Sequence, residues 1–144
     1  MSAIFVVGYA EGEDSERALN FALERARKGD AEIRLVFVLE WSPYSFLTPD
    51  ELETRHKRRN EELARATAVV EPVAKKASEA GVKTETIVRY GHAAEVLCEV
   101  ARETGAVQVF VGRGGSSSNL ATRLFGSVSG ALVQASPVPV TVVP

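Results

Sequence analysis

The chain is poor in the residues that advertise redox, disulfide or metal chemistry. Its 144 residues include one cysteine, Cys98, and two histidines, His56 and His92. A single thiol cannot close an internal disulfide, and neighbours Val96, Leu97 and Val100 mark Cys98 as a packing residue. Neither histidine has a second His or Cys at ligand spacing, so no metal site is expected. An excess of one charge is also missing: 17 Lys and Arg against 19 Asp and Glu give a formal net charge of −2. That balance argues against a general nucleic-acid binder. No apolar run approaches the ~18 residues of a membrane span, and MSAIFVVGYAEGED lacks the basic start and apolar length of a signal peptide. A cytoplasmic protein with no membrane association is expected. Repeats and linker-like stretches are absent, and 45% hydrophobic residues suffice for one globular domain over residues 1–144.

What is present is an alternation of strand and helix patterns. Ala3 to Val7 is a short apolar run before Gly8, as in a central strand buried on both faces. The acidic loop Tyr9 to Asp14 follows, with Asp14 or Ser15 expected to cap a helix through Lys28, Gly29 to end it, and Ala18, Leu19, Ala22, Leu23 and Ala26 on its inner face. Glu32 to Leu39 reads as a second strand. The loop Trp41 to Leu47 carries Trp41, Tyr44 and Phe46, to pack on the sheet rim or to wall a ligand. Thr48 and Glu51 have capping-box spacing, Pro49 suits the first helical turn, and Leu47 can staple to Leu52. The helix they open is expected to run to Ala80, bent or interrupted at Pro72. Its run Arg55-His56-Lys57-Arg58-Arg59 could touch phosphate, but Glu51, Glu53, Glu61 and Glu62 favour a solvated, projecting helix.

Val82 to Arg89 alternates as a third strand with one more exposed face. Tyr90-Gly91-His92 turns into a helix with Ala94, Leu97, Val100 and Ala101 inward and an end near Gly105. His92 is either a ligand neighbour at that turn or an exposed capping residue. Val107 to Val111 is the fourth strand. A last helix is expected over Ser127 to Ala135, with Val128, Ala131 and Leu132 inward. Pro137 to Val143 reads as a final strand, and Pro139 places it at an edge. An apolar edge invites pairing, so a homodimer through Val138 to Val143 is expected. The pattern as a whole predicts an α/β protein: an open five-stranded parallel sheet with helices on both faces. Ligands of such sheets bind beyond the strand carboxyl ends at a switch point. If the first and fourth strands are neighbours, their loops meet there.

The chemistry concentrates between Val107 and Ser129. An apolar strand stops at Gly112, a Gly and Ser loop follows, and Gly126-Ser127-Val128-Ser129 opens a helix. Open glycine backbone opposite a helix start can cradle phosphate. The loop is no Walker A sequence, since no Gly-Lys-Ser/Thr follows, and no dinucleotide fingerprint, since position 117 is Ser. A nucleophile elbow is missing too, and no serine has a histidine nearby. No catalytic residue is assigned.

These residues resemble the universal stress protein family. Its nucleotide-binding members show a glycine, two residues, a glycine, nine residues, then Gly-Ser or Gly-Thr. Here Gly112 and Gly115 match the first part and Gly126-Ser127 the last, with ten residues, Ser116 to Phe125, between. Gly91, Val96, Ala101, Gly105-Ala106 and the terminal ASPVPVTVV extend the similarity over essentially the whole chain. The resemblance implies a Rossmann-like, adenine nucleotide alpha hydrolase-like fold and an ATP-binding regulatory protein with little or no turnover, with Mg2+ as a companion ion. Gly112, Gly115, Gly126, Ser127, Val128 and Ser129 would surround ribose and phosphates, and Val38 would contact adenine. Arg113 could neutralise phosphate charge. Where the family has an aspartate turn after the first strand, this chain has Ala10-Glu11-Gly12, with Glu11 as the substitute acid. Two other readings remain open: a nucleotide-free dimeric module of the same fold, and a slow ATPase.

Overall fold

β1 (Ala3–Tyr9) forms the middle of the sheet because both its faces are apolar: Val7 and Tyr9 point to one side and Val6 to the other. In the computed structural model, which describes residues 2–10, 12–39, 49–113 and 128–144, it pairs in parallel with β2 (Ala31–Leu39) and β4 (Gln108–Gly112). β3 (Thr84–Tyr90) and β5 (Val140–Val143) complete the order β3-β2-β1-β4-β5. The expected five-stranded parallel sheet is therefore present, with β1 and β4 adjacent. The expectations for Glu11, the aromatic loop Trp41 to Leu47, the Thr48 cap and its staple to the Leu52 side chain, Gly115, Gly126 and Ser127 fall outside the described residues.

α1 (Glu13–Gly29) and α2 (Pro49–Glu79) cover one face. Leu19, Ala22 and Ala26 of α1, with Val70 and Ala74 of α2, pack on Val7, Ile33, Leu35 and Phe110. Phe110 is fully buried, its ring 5.0 Å from Phe5 and 6.1 Å from Phe21. Truncating it to alanine should cost about 3–5 kcal/mol, the usual toll of a large core cavity. α3 (Ala93–Thr104) and α4 (Val128–Ala135) cover the other face, where Leu97, Val100, Ala101 and Leu132 meet Val6, Val36, Val109 and Val111. Cys98 lies buried there, and loss of hydration pushes its thiol pKa up.

Several local expectations are corrected. The cap of α1 is Gly12, without a side-chain bond. Ser15 instead accepts a hydrogen bond from the Ala10 N–H (2.9 Å), and Asp14 pairs with Arg17. Asp30, not Gly29, takes the left-handed conformation that ends α1 (φ 54°), while Gly105 ends α3 as expected. α2 continues through Pro72 uninterrupted and stops at Glu79. In α4, Ser129 and Leu132 are the buried residues, while Val128 and Ala131 are exposed. The last strand starts at Val140 rather than Pro137.

The two sheet borders differ. β3 presents Glu85 and Arg89 on its α3 side. Arg34 reaches Glu85 (3.3 Å) and Glu32 (3.6 Å), and Arg89 reaches Glu103 (2.6 Å). Such charged side chains discourage further strand pairing. β5 is a bare VTVV segment. The Pro139 and Val143 carbonyls accept bonds from Val109 and Arg113, so the main-chain groups of Val140 and Val142 point outward, away from β4.

Candidate functional site

The carboxyl edge of the sheet is organised around the β1/β4 boundary. β1 leads into α1 on one face, whereas α4 lies on the other, which makes this the switch point where open α/β sheets receive ligands. Gly112 ends β4 directly against the first turn of α1. A Cβ at Gly112 would stand 2.6 Å from the Asp14 carbonyl oxygen, so only glycine fits. Asp14 and Arg17 form an ion pair, and the Arg17 Nε–H donates to the Pro144 carbonyl (3.2 Å). The α1 terminus thus has its own carboxylates, Glu13, Asp14 and Glu16, set against its positive end. Sequence reading missed the Asp14–Arg17 pair, although the i,i+3 spacing is its signal.

α4 starts differently. Its first turn contains no acidic residue, and Ser129 is buried with its Oγ 3.5 Å from the Arg113 carbonyl, a long contact. The Arg113 N–H donates to the Val143 carbonyl (2.9 Å), while its side chain is exposed. The structure therefore brings Gly112, Arg113 and Ser129 together, with half-exposed Val128 at the mouth of the same turn. Val38 reaches the same edge on the far side of β1. It is partly buried toward α3 and lies in register with Arg89. Of the remaining expected residues, Glu11, Gly115, Gly126 and Ser127 lie outside the description.

The β3 end of this edge is built by Gly91, His92 and Tyr90. Gly91 has φ 147°, and a Cβ there would come within 2.8 Å of Val96. His92 is exposed at the N-cap position, and its side chain makes no capping bond. The Tyr90 hydroxyl donates to Glu62 (2.6 Å), and the Arg59 guanidinium sits 4.5 Å above its ring. Loss of hydration, with the Glu62 bond adding to it, pushes the phenol up to about 12. Among the described residues, no group of three His, Cys, Asp or Glu side chains is placed to hold a metal, and no helix is long and apolar enough to cross a membrane.

Comparison with known proteins agrees with this architecture. No curated protein sequence matches significantly. The universal stress protein UspA from Lactobacillus plantarum is similar in structure, with a TM-score of 0.84 at 18% identity over 99% of this chain and 97% of that one. A universal stress protein in complex with cAMP gives 0.72 at 24% identity over 99% and 96%. The universal stress protein from Archaeoglobus fulgidus in complex with dAMP gives 0.60 at 18% over 100% and 98%. At these identities the structures establish a shared fold. The model of the universal stress protein family, however, matches residues 1–144, and the chain belongs to that family.

Proposed function

We propose that this chain is an adenine-nucleotide-binding universal stress protein of the cytoplasm, with ATP as its ligand and occupancy rather than turnover as its signal. The observation that carries the reading is the start of α4. Ser129 approaches the Arg113 carbonyl at the end of β4, and no carboxylate in the first described turn opposes an anion. A helix start of this kind favours phosphate by its dipole and its N–H groups. Two structurally similar family members are complexes with cAMP and dAMP, which supports an adenine ligand. In this reading Gly112, Gly115, Gly126, Ser127, Val128 and Ser129 line ribose and phosphates, Arg113 supplies positive charge, Val38 packs on adenine and Glu11 faces the ribose. A Mg2+ ion would ride on the phosphates and keep most of its waters. Low turnover fits the engagement of the Asp14 carboxylate by Arg17, which leaves it paired rather than poised as a base.

The deciding experiment is mass spectrometry of small molecules released by acid from freshly purified protein, with calorimetric titration by ATP, ADP and AMP. An adenylate in the extract and saturable heat with ATP are expected. An empty extract with no heat from any of the three would defeat the reading. It would favour a nucleotide-free dimeric module, for which Gly112 itself speaks, since its packing on Asp14 requires glycine without any ligand. The same proposal includes a homodimer formed through β5, whose outward main-chain groups at Val140 and Val142 form a ready template.

A further inference from the structure

One guanidinium reaches the end of β4 by two routes. Arg17, on the second turn of α1, pairs with the Asp14 carboxylate, and the main-chain carbonyl of that same Asp14 fills the space beside Gly112. On its other side the Arg17 Nε–H donates to the Pro144 carbonyl (3.2 Å). The preceding residue, Val143, is in register with Gly112, and its carbonyl accepts the Arg113 N–H (2.9 Å). These contacts close a ring that runs from Arg17 through Asp14, Gly112, Arg113, Val143 and Pro144 back to Arg17.

The ring restrains the place that most needs it. β5 has four residues and a ladder on one side only, and short strands of that kind open most readily. Without Arg17 the end of β5 would be tied to β4 alone, and the first turn of α1 would lose its link to β5. Two bonds in fixed directions from one planar group are what a guanidinium supplies and an ammonium does not. The Arg113 carbonyl faces the Ser129 Oγ (3.5 Å), so the dipeptide inside the ring also borders the start of α4.

We propose that Arg17 is a positioning residue for Gly112 and Arg113, and that it raises nucleotide affinity without touching the ligand. This rests on the nucleotide reading above, in which those two residues begin the phosphate cradle. Main-chain groups serve an anion best when they are fixed before it arrives, because ordering them on binding is subtracted from the affinity. The ring does that fixing in the empty protein. Arg17 acts through Asp14 on one arm and through Pro144 and Val143 on the other, and both arms end on the same dipeptide.

The test uses the whole protein carrying Arg17→Lys, with Arg27→Gln, an exposed cation of α1 outside the ring, as control. Lysine keeps the charge, and with it the long-range attraction for phosphate, but loses the fork. Hydrogen exchange followed by NMR without nucleotide reads the ring itself. The Arg113 amide should exchange on the order of tenfold faster in Arg17→Lys, while the amide of fully buried Leu35 in β2 keeps its parental rate. Calorimetry should then show ATP binding about fivefold weaker, as for the loss of one modest hydrogen bond. Arg27→Gln should leave both values unchanged. Asp14→Asn opens the other arm and should reproduce both effects, and its combination with Arg17→Lys should be no worse than either alone, since a ring opened once is open. Unchanged exchange at Arg113, parental ATP affinity despite faster exchange, or effects that add in the double variant would overturn the proposal. A parent that binds no adenine nucleotide defeats the nucleotide reading and takes this role with it, whereas failure of the variants alone strikes only the role of Arg17.

Discussion

Gly112 and Asp14 touch backbone to backbone: the space a side chain would need at the end of β4 is filled by the carbonyl of the first turn of α1. Main chain on a helix cannot step aside as a flexible side chain can. Gly112→Ala should therefore destabilise the fold by about 1–3 kcal/mol, the range of an overpacked site. Urea unfolding measures this directly. Unchanged stability would mean that the α1 start yields and that Gly112 is not held by packing.

Gly126→Val addresses the phosphate side of the proposed nucleotide site. In the proposed nucleotide reading, a branched side chain there occupies phosphate space. ATP affinity should fall at least about tenfold, or 1.4 kcal/mol, while the thermal midpoint without ligand stays near that of the parent. Calorimetry and a thermal scan check both halves, and undiminished affinity removes Gly126 from the site.

Tyr90 gives stability a pH dependence at the alkaline end. Its phenol pKa is pushed up to about 12 in the folded chain, against an ordinary value of 10.0. A raised pKa means that the folded chain keeps the proton longer than the unfolded one. The contribution is complete below about pH 10 and is lost as pH rises toward 12. Tyr90→Phe also removes the bond to Glu62, for about 1 kcal/mol at neutral pH. Its deficit should shrink between pH 10 and 12 in urea titrations, and a constant deficit would mean that the hydroxyl does not titrate as argued.

The proposed β5 dimer has a variant that spares the subunit. Val142 directs its N–H outward, so Val142→Pro removes a donor from the free border without breaking the ladder to β4. Sedimentation should shift from dimer to monomer at micromolar concentration with native circular dichroism. A dimer that survives is built elsewhere.

How far the chain could be read in advance depended on how many residues voted for each feature. β1, β2 and β4 carry apolar runs, and Gly112 closes β4, so the sheet and its carboxyl edge were legible. The phase of α4 was not. In eight residues of mostly small side chains, a rotation by one position changes few hydrophobic contacts, and Ser129 took the inward place assigned to Val128. The α1 cap also escaped, because Ser15 has a competing partner in the Ala10 N–H. The Arg17 bond to Pro144 spans 127 positions, and only the finished fold brings those two residues together.

The unequal borders of the sheet set a limit on growth. A border of ion-paired side chains at β3 repels newcomers, whereas the valine-rich one at β5 is permissive. Any strand-to-strand union of two subunits consumes the receptive rim of each and exposes only guarded ones. In the proposed β5 dimer, accretion of this kind would halt at ten strands.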